Sequence, residues 1–207
     1  MANNLPSNCI VLISGVPGAG KTTISYELLN AYEEIRIIEE TDIIRETLLG
    51  YNNYLSDHER IEINNIYKSD VLMSYDMAAE QCTIMKYSFY QIIKRQQRKG
   101  IPTIINGVHI IPEVLYSFLP FDNLLYITLY FDSEAELMSR LETRDQQKYS
   151  KENIPFLYAS NKSLAEKTMQ LSILHPNIIT FNTGSISKDE TVVALKHLID
   201  MYYGINT

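Results

Sequence analysis

Short apolar runs alternate along this chain with longer segments whose apolar positions recur every three or four residues. That alternation predicts an α/β domain. Five runs read as strands, at 9–13, 36–42, 102–107, 123–130 and 177–182. Most are rich in Ile, Leu, Val and Tyr with no polar alternation, as expected of parallel strands covered on both faces. The segments between them read as helices. They lie at 24–31, 43–49 (closed by Gly50), 153–174 and 189–203, with another opened by Ser133. Residues 56–99 read as two or three helices, with a capping box at 56–59 and Ile61, Ile66, Leu72, Met73, Met77, Ile84 and Met85 inward. In the closing helix Val192, Leu195, Leu198 and Ile199 face the core. Right-handed crossovers then give a three-layer fold with a five-stranded parallel sheet in the order 2-3-1-4-5.

The first strand breaks into Gly15-Val16-Pro17-Gly18-Ala19-Gly20-Lys21-Thr22, which fits G-x-x-x-x-G-K-[ST] between a strand and a helix. Glycines let successive N–H groups converge on a polyphosphate, and the helix start adds unpaired N–H groups and partial positive charge. Gly15, Gly18, Ala19, Gly20, Lys21, Thr22 and Thr23 are therefore the candidate nucleotide-phosphate set. Lys21 suits the β- and γ-phosphates, and the Thr22 hydroxyl suits Mg²⁺.

Five further places carry candidate chemistry. Asp42 closes the second strand, where it either caps the next helix or faces the ligand crevice as a base or water-mediated Mg²⁺ partner. Arg45 lies one helical turn on, and a guanidinium beside a carboxylate suits an acceptor carrying an alcohol and an anion. Asn106 ends the third strand where such sites normally place an acid; an amide can orient a Mg²⁺-bound water but adds no charge. His109 either touches substrate or satisfies backbone groups in its loop. Arg140 and Arg144, at i and i+4, precede the polar segment 145–151, where a lid would neutralise the transferring phosphoryl group. The competing reading is a surface pair bridged to Glu136 or Glu142.

The chain has 207 residues, 45% of them hydrophobic, consistent with one domain over 1–207. A net charge of −7 disfavours a broad nucleic-acid footprint. The basic run 94–99 ending at Gly100 reads as a solvated last helical turn that complements the helix dipole. Cys9 and Cys82 form no disulfide or zinc pattern, no run approaches a membrane span, and the N-terminus lacks a basic and apolar leader. A cytoplasmic setting is the expectation.

The segments Ile13 to Thr22, Thr41-Asp42-Ile43-Ile44-Arg45-Glu46 and Asn106-Gly107-Val108-His109-Ile110-Ile111-Pro112, with Arg140 and Arg144, carry a resemblance. The chain resembles small phosphate-loop kinases of the nucleoside-monophosphate-kinase group, and within it the kinase domain of archaeal-type 2-phosphoglycerate kinases. That family has an acid where Asn106 stands. The resemblance implies ATP- and Mg²⁺-dependent phosphorylation of a small hydroxylated, anionic metabolite. It implies Lys21 on the phosphates, Thr22 on Mg²⁺, Asp42 as base, Arg45 on the acceptor anion and the two arginines as lid. A nucleotide, a nucleotide-sugar (as in zeta-type toxin kinases) or an RNA end is the alternative acceptor. A nucleotide-binding protein without turnover is the alternative class.

Overall fold

The computed structural model describes residues 4–52, 54–55, 74–142, 149, 151–184 and 186–205. The capping box at 56–59, Ile61, Ile66, Leu72, Met73 and Arg144 lie outside them.

The apolar run near the N-terminus forms β1 (Ile10–Ser14), every residue of it buried. It pairs in parallel with β3 (Thr103–Asn106) on one side and β4 (Leu124–Tyr130) on the other. The outer strands β2 (Ile37–Glu40) and β5 (Ile178–Asn182) complete a five-stranded sheet in the order β2-β3-β1-β4-β5, as the alternation predicts. The pleat sorts side chains by parity. Val11, Ile13, Ile104, Leu125 and Ile127 join the core packed by α1 (Lys21–Ala31) and by the C-terminal helix. Ile10, Leu12, Ile105, Leu124 and Tyr126 face the long helix α3 (Tyr75–Lys99) and the short helix α4 (Pro112–Leu115).

Helix α2 (Thr41–Asn52) follows β2 directly, so Asp42 lies in its first turn instead of capping it, and it continues through Gly50. The inward stripe of α3 is Tyr75, Ala78, Cys82, Met85, Phe89 and Ile93; Met77 and Ile84 are only half-buried. Gly100 closes α3 in the left-handed conformation, its N–H reaching the Gln96 and Gln97 carbonyls, as the basic run predicts. Ser133 caps α5 (Glu134–Leu141) through the Glu136 N–H. Then come α6 (Ile154–Ser172) and α7 (Lys188–Tyr203), the latter opened by a reciprocal Ser187–Glu190 capping box.

Two buried polar ties lock the layers. Tyr32 of α1 donates to Asp200 of α7 at 2.8 Å, and Lys196 pairs with the same carboxylate at 2.6 Å. Asn161 of α6 acts as an extra strand residue. Its Nδ2 donates to the Phe131 carbonyl at 2.8 Å and its Oδ1 accepts the Phe131 N–H at 3.1 Å. Replacing Asn161 by Ala leaves two buried backbone groups unpaired beyond the end of β4. Urea unfolding is expected to show a loss of about 2–5 kcal/mol; a loss under 1 kcal/mol means water replaces the amide.

Candidate functional site

Parallel pairing brings the carboxyl ends of β2, β3 and β1 to one edge of the sheet, with Glu40 opposite Asn106 and Asn106 opposite Ile13. The phosphate loop leaves that edge from β1. Gly15 turns where a Cβ would lie 2.8 Å from the Leu129 carbonyl oxygen, so the strand end leaves no room for a side chain. Gly20 enters α1 at φ 86°, a left-handed conformation that costs glycine little. Lys21 is the first helical residue, and its Nζ donates to the Val16 carbonyl across the loop at 3.0 Å. Thr22 and Thr23 follow on the first turn with exposed side chains. Strand, glycine turn and helix thus follow one another in the order that the spacing predicts.

On the β2 side, Asp42 projects into solvent, with its side chain 62% exposed, while the Arg45 side chain is only 8% exposed. Arg45 Nη1 lies 3.7 Å from Asp42 Oδ1, and Nη2 pairs with Glu46. His109 Nδ1 also lies 3.7 Å from Asp42 Oδ1. The carboxylate therefore lies between a buried guanidinium and a buried imidazole, farther than a hydrogen bond from each.

His109 is fully enclosed. Its Nδ1 is 2.9 Å from the Thr41 hydroxyl and its Nε2 is 2.6 Å from Gln81 Oε1. Neither role expected of it is seen in this arrangement, because both nitrogens meet side chains and the ring has no open face. Burial pushes its pKa down from 6.5 to about 4; Asp42 opposes the shift, and Arg45 and Lys21 reinforce it. That Lys21 acts on the ring ties the phosphate loop electrostatically to the β2 edge. Gly107 packs so closely on Thr41 that a Cβ there would lie 1.7 Å from Oγ1.

Asn106 is 2% exposed, and its Nδ2 has no hydrogen-bond partner among the described residues. A buried amide left half-satisfied costs free energy until a bound species meets it.

Arg140 lies on the far side of the loop. Its guanidinium bonds the Thr183 carbonyl, lies 5.6 Å from the Phe131 ring centre and approaches Gly20. No ion pair of Arg140 with Glu136 or Glu142 occurs among the described residues, so the surface-pair reading does not apply to it. Arg140 instead walls a cleft of ≈ 140 Å³ with Gly20, Thr23, Ile24, Thr183 and Thr191. Sequence reasoning missed Thr183 and Gln81. For Gln81 the one available signal was an amide on the inward stripe of α3.

His109 also sets an acid limit on stability. Its folded pKa lies below its unfolded value, so its stabilisation is complete above pH 6.5 and is lost as pH falls toward 4. Urea melts at pH 7.5 and pH 5 are expected to show wild type losing about 2 kcal/mol more than His109→Gln. Equal losses would mean the ring protonates freely in the fold.

A family model described as an AAA domain matches residues 11–168. No curated protein sequence matches the chain. Among solved structures, a gluconokinase from Sinorhizobium meliloti 1021 aligns at a TM-score of 0.59 with 12% identity, over 98% of this chain and 96% of that one. A thymidylate kinase from Candida albicans aligns at 0.54 with 14% identity, over 100% and 97%. A shikimate kinase from Acinetobacter baumannii, in complex with shikimate, aligns at 0.52 with 18% identity, over 96% and 94%. At such identities the likeness shows a shared fold. The family match covers β1 from Val11, the phosphate loop and α1, and the chain belongs to the AAA-domain family, as a nucleotide-binding phosphate-loop protein.

Proposed function

We propose that this protein is an ATP-dependent kinase that transfers the γ-phosphate to a hydroxyl of a small anionic metabolite of the 2-phosphoglycerate type. The observation that carries the reading is the exposed Asp42 carboxylate, flanked by buried Arg45 and His109 on the edge that bears Lys21. A base, an anion-binding group and a phosphate cradle then share one edge of the sheet. A small hydroxylated acceptor agrees with the gluconokinase and the shikimate kinase that share its fold.

In this reading the triphosphate lies along the loop, with Lys21 on the β- and γ-phosphates. The nucleoside occupies the cleft walled by Gly20, Arg140, Thr183 and Thr191. Arg140 therefore acts at the nucleotide end. The acceptor oxygen bonds to the γ-phosphorus, the bond to the β–γ bridging oxygen breaks and ADP leaves. The acceptor proton passes to Asp42, and Arg45 holds the acceptor's own carboxylate or phosphate. The site residues also fit Mg²⁺. Thr22 presents an exposed hydroxyl, and the buried Asn106 amide can turn its acceptor oxygen toward a metal-bound water. When bound, that ion neutralises phosphate charge.

Activity over a panel of small hydroxy acids, sugars, nucleotides and RNA ends tests the reading directly. Lys21→Ala is expected to abolish phosphoryl transfer with the fold intact. Wild-type turnover by that variant would remove the loop from catalysis. Arg45→Ala is expected to lower acceptor kcat/KM by roughly thirty- to several-thousand-fold, equivalent to about 2–5 kcal/mol, with ATP affinity nearly unchanged. Arg45→Lys recovers part of that loss, because a point charge cannot reproduce a bidentate fork. Equal losses for acceptor and ATP would take Arg45 out of the acceptor site.

Asn106→Asp adds a carboxylate beside the phosphates. It is expected to tighten Mg²⁺ dependence and raise the rate. An unchanged metal titration would show that another group, Asp42 first, already serves the ion.

A further inference from the structure

Behind Asp42 runs a chain of three buried side chains with no direct part in the proposed chemistry. Gln81 enters from α3, His109 from the β3–α4 connection and Thr41 from the start of α2. All three are fully buried. Gln81 Oε1 lies 2.6 Å from His109 Nε2, and Thr41 Oγ1 lies 2.9 Å from Nδ1. A neutral imidazole has one N–H and one bare nitrogen, so its partners decide which is which. An amide oxygen only accepts. Nε2 therefore carries the hydrogen, and the bare Nδ1 accepts the Thr41 hydroxyl.

The choice has a consequence at Asp42, whose Oδ1 lies 3.7 Å from Nδ1. With a hydrogen on Nδ1 the ring would donate to Thr41 Oγ1, its nearer neighbour, and would set the positive end of an N–H dipole beside Asp42 Oδ1, competing electrostatically with any hydroxyl brought to it. With Nδ1 bare, the carboxylate faces Arg45 and solvent. The charged groups acting on the ring are Asp42 and Arg45 from α2 and Lys21 from α1, and Gln81 is neutral.

We propose that Gln81 is a positioning residue: it fixes His109 as the Nε2–H tautomer and thereby keeps Asp42 available to the acceptor hydroxyl. Two further observations support this. The rest of the nearby inward face of α3 is apolar (Ala78, Cys82, Met85), so an amide there incurs a desolvation cost that only the Oε1 contact offsets among the described residues. Thr41 Oγ1 also occupies the space that a Cβ on Gly107 would fill, so the turn that carries Asp42 packs directly on the connection that carries His109. The inference rests on the kinase reading for its effect on rate, and on the hydrogen-bond chain alone for the tautomer.

The test reads both. In ¹⁵N-labelled wild type near pH 7.5, the His109 ring nitrogens are expected to show Nε2 protonated and Nδ1 bare; the reverse overturns the proposal. Gln81→Met keeps the volume and removes the acceptor. It is expected to move the hydrogen to Nδ1 and to lower kcat by about 10- to 100-fold, with the KM for ATP near wild type. Gln81→Glu retains an acceptor oxygen and is expected to keep Nε2 protonated. A Gln81→Met protein that only melts earlier, with tautomer and kcat unchanged, would show Gln81 to be a packing residue and overturn the proposal. Asp42→Asn separates the two readings: wild-type turnover by that variant defeats Asp42 as base, while the wild-type ring spectrum still decides the tautomer.

Discussion

The parallel ladder through β1 is the constraint on which the site depends. β1 is bonded on both sides, to β3 and to β4, and its carboxyl end fixes where the phosphate loop begins. Because the partners run the same way, β2 and β3 end at the same level, and Asp42, Asn106 and His109 follow from those ends. A phosphate cradle, a carboxylate and a buried amide thus meet on one edge although a large part of the chain separates them. Antiparallel pairing of β3 would carry Asn106 to the opposite edge, away from the loop.

The edge is stiffened by polar groups that have left water. His109 is held neutral by burial between Thr41 and Gln81, and beyond the far end of α1 the Asp200 carboxylate accepts the phenol of Tyr32 and pairs with the ammonium of Lys196. Each such group costs free energy to desolvate and recovers it only when its partners are in place. The result is a turn at Thr41–Asp42 with one geometry. Gly107 permits that geometry, since any side chain there would collide with Thr41. The Asp42 carboxylate remains exposed while Arg45 and His109 beside it are enclosed, an arrangement that suits the role proposed for it.

Sheet order, strand identity and the phosphate loop were legible in the chain itself. Apolar runs without polar alternation identify buried parallel strands, and local spacing alone specifies the loop. The caps at Ser133 and Gly100 were also legible, because capping is local. The helix at Thr41 was misjudged by a residue or two, since both Thr41 and Asp42 are good capping types and only the backbone path beyond β2 selects between them.

What the sequence determined by itself is therefore everything governed by neighbours along the chain: the fold, the cradle and the residue types at its rim. What only the tertiary structure decided is which side chains reach one another. His109 reads as a loop histidine until α3 brings Gln81 against it, and Arg140 reads as half of an i,i+4 pair until the β5–α7 loop offers it the Thr183 carbonyl. Those contacts join residues 28 and 43 positions apart. Their partners are chosen by the packing of whole helices on the sheet, and no local periodicity records that choice.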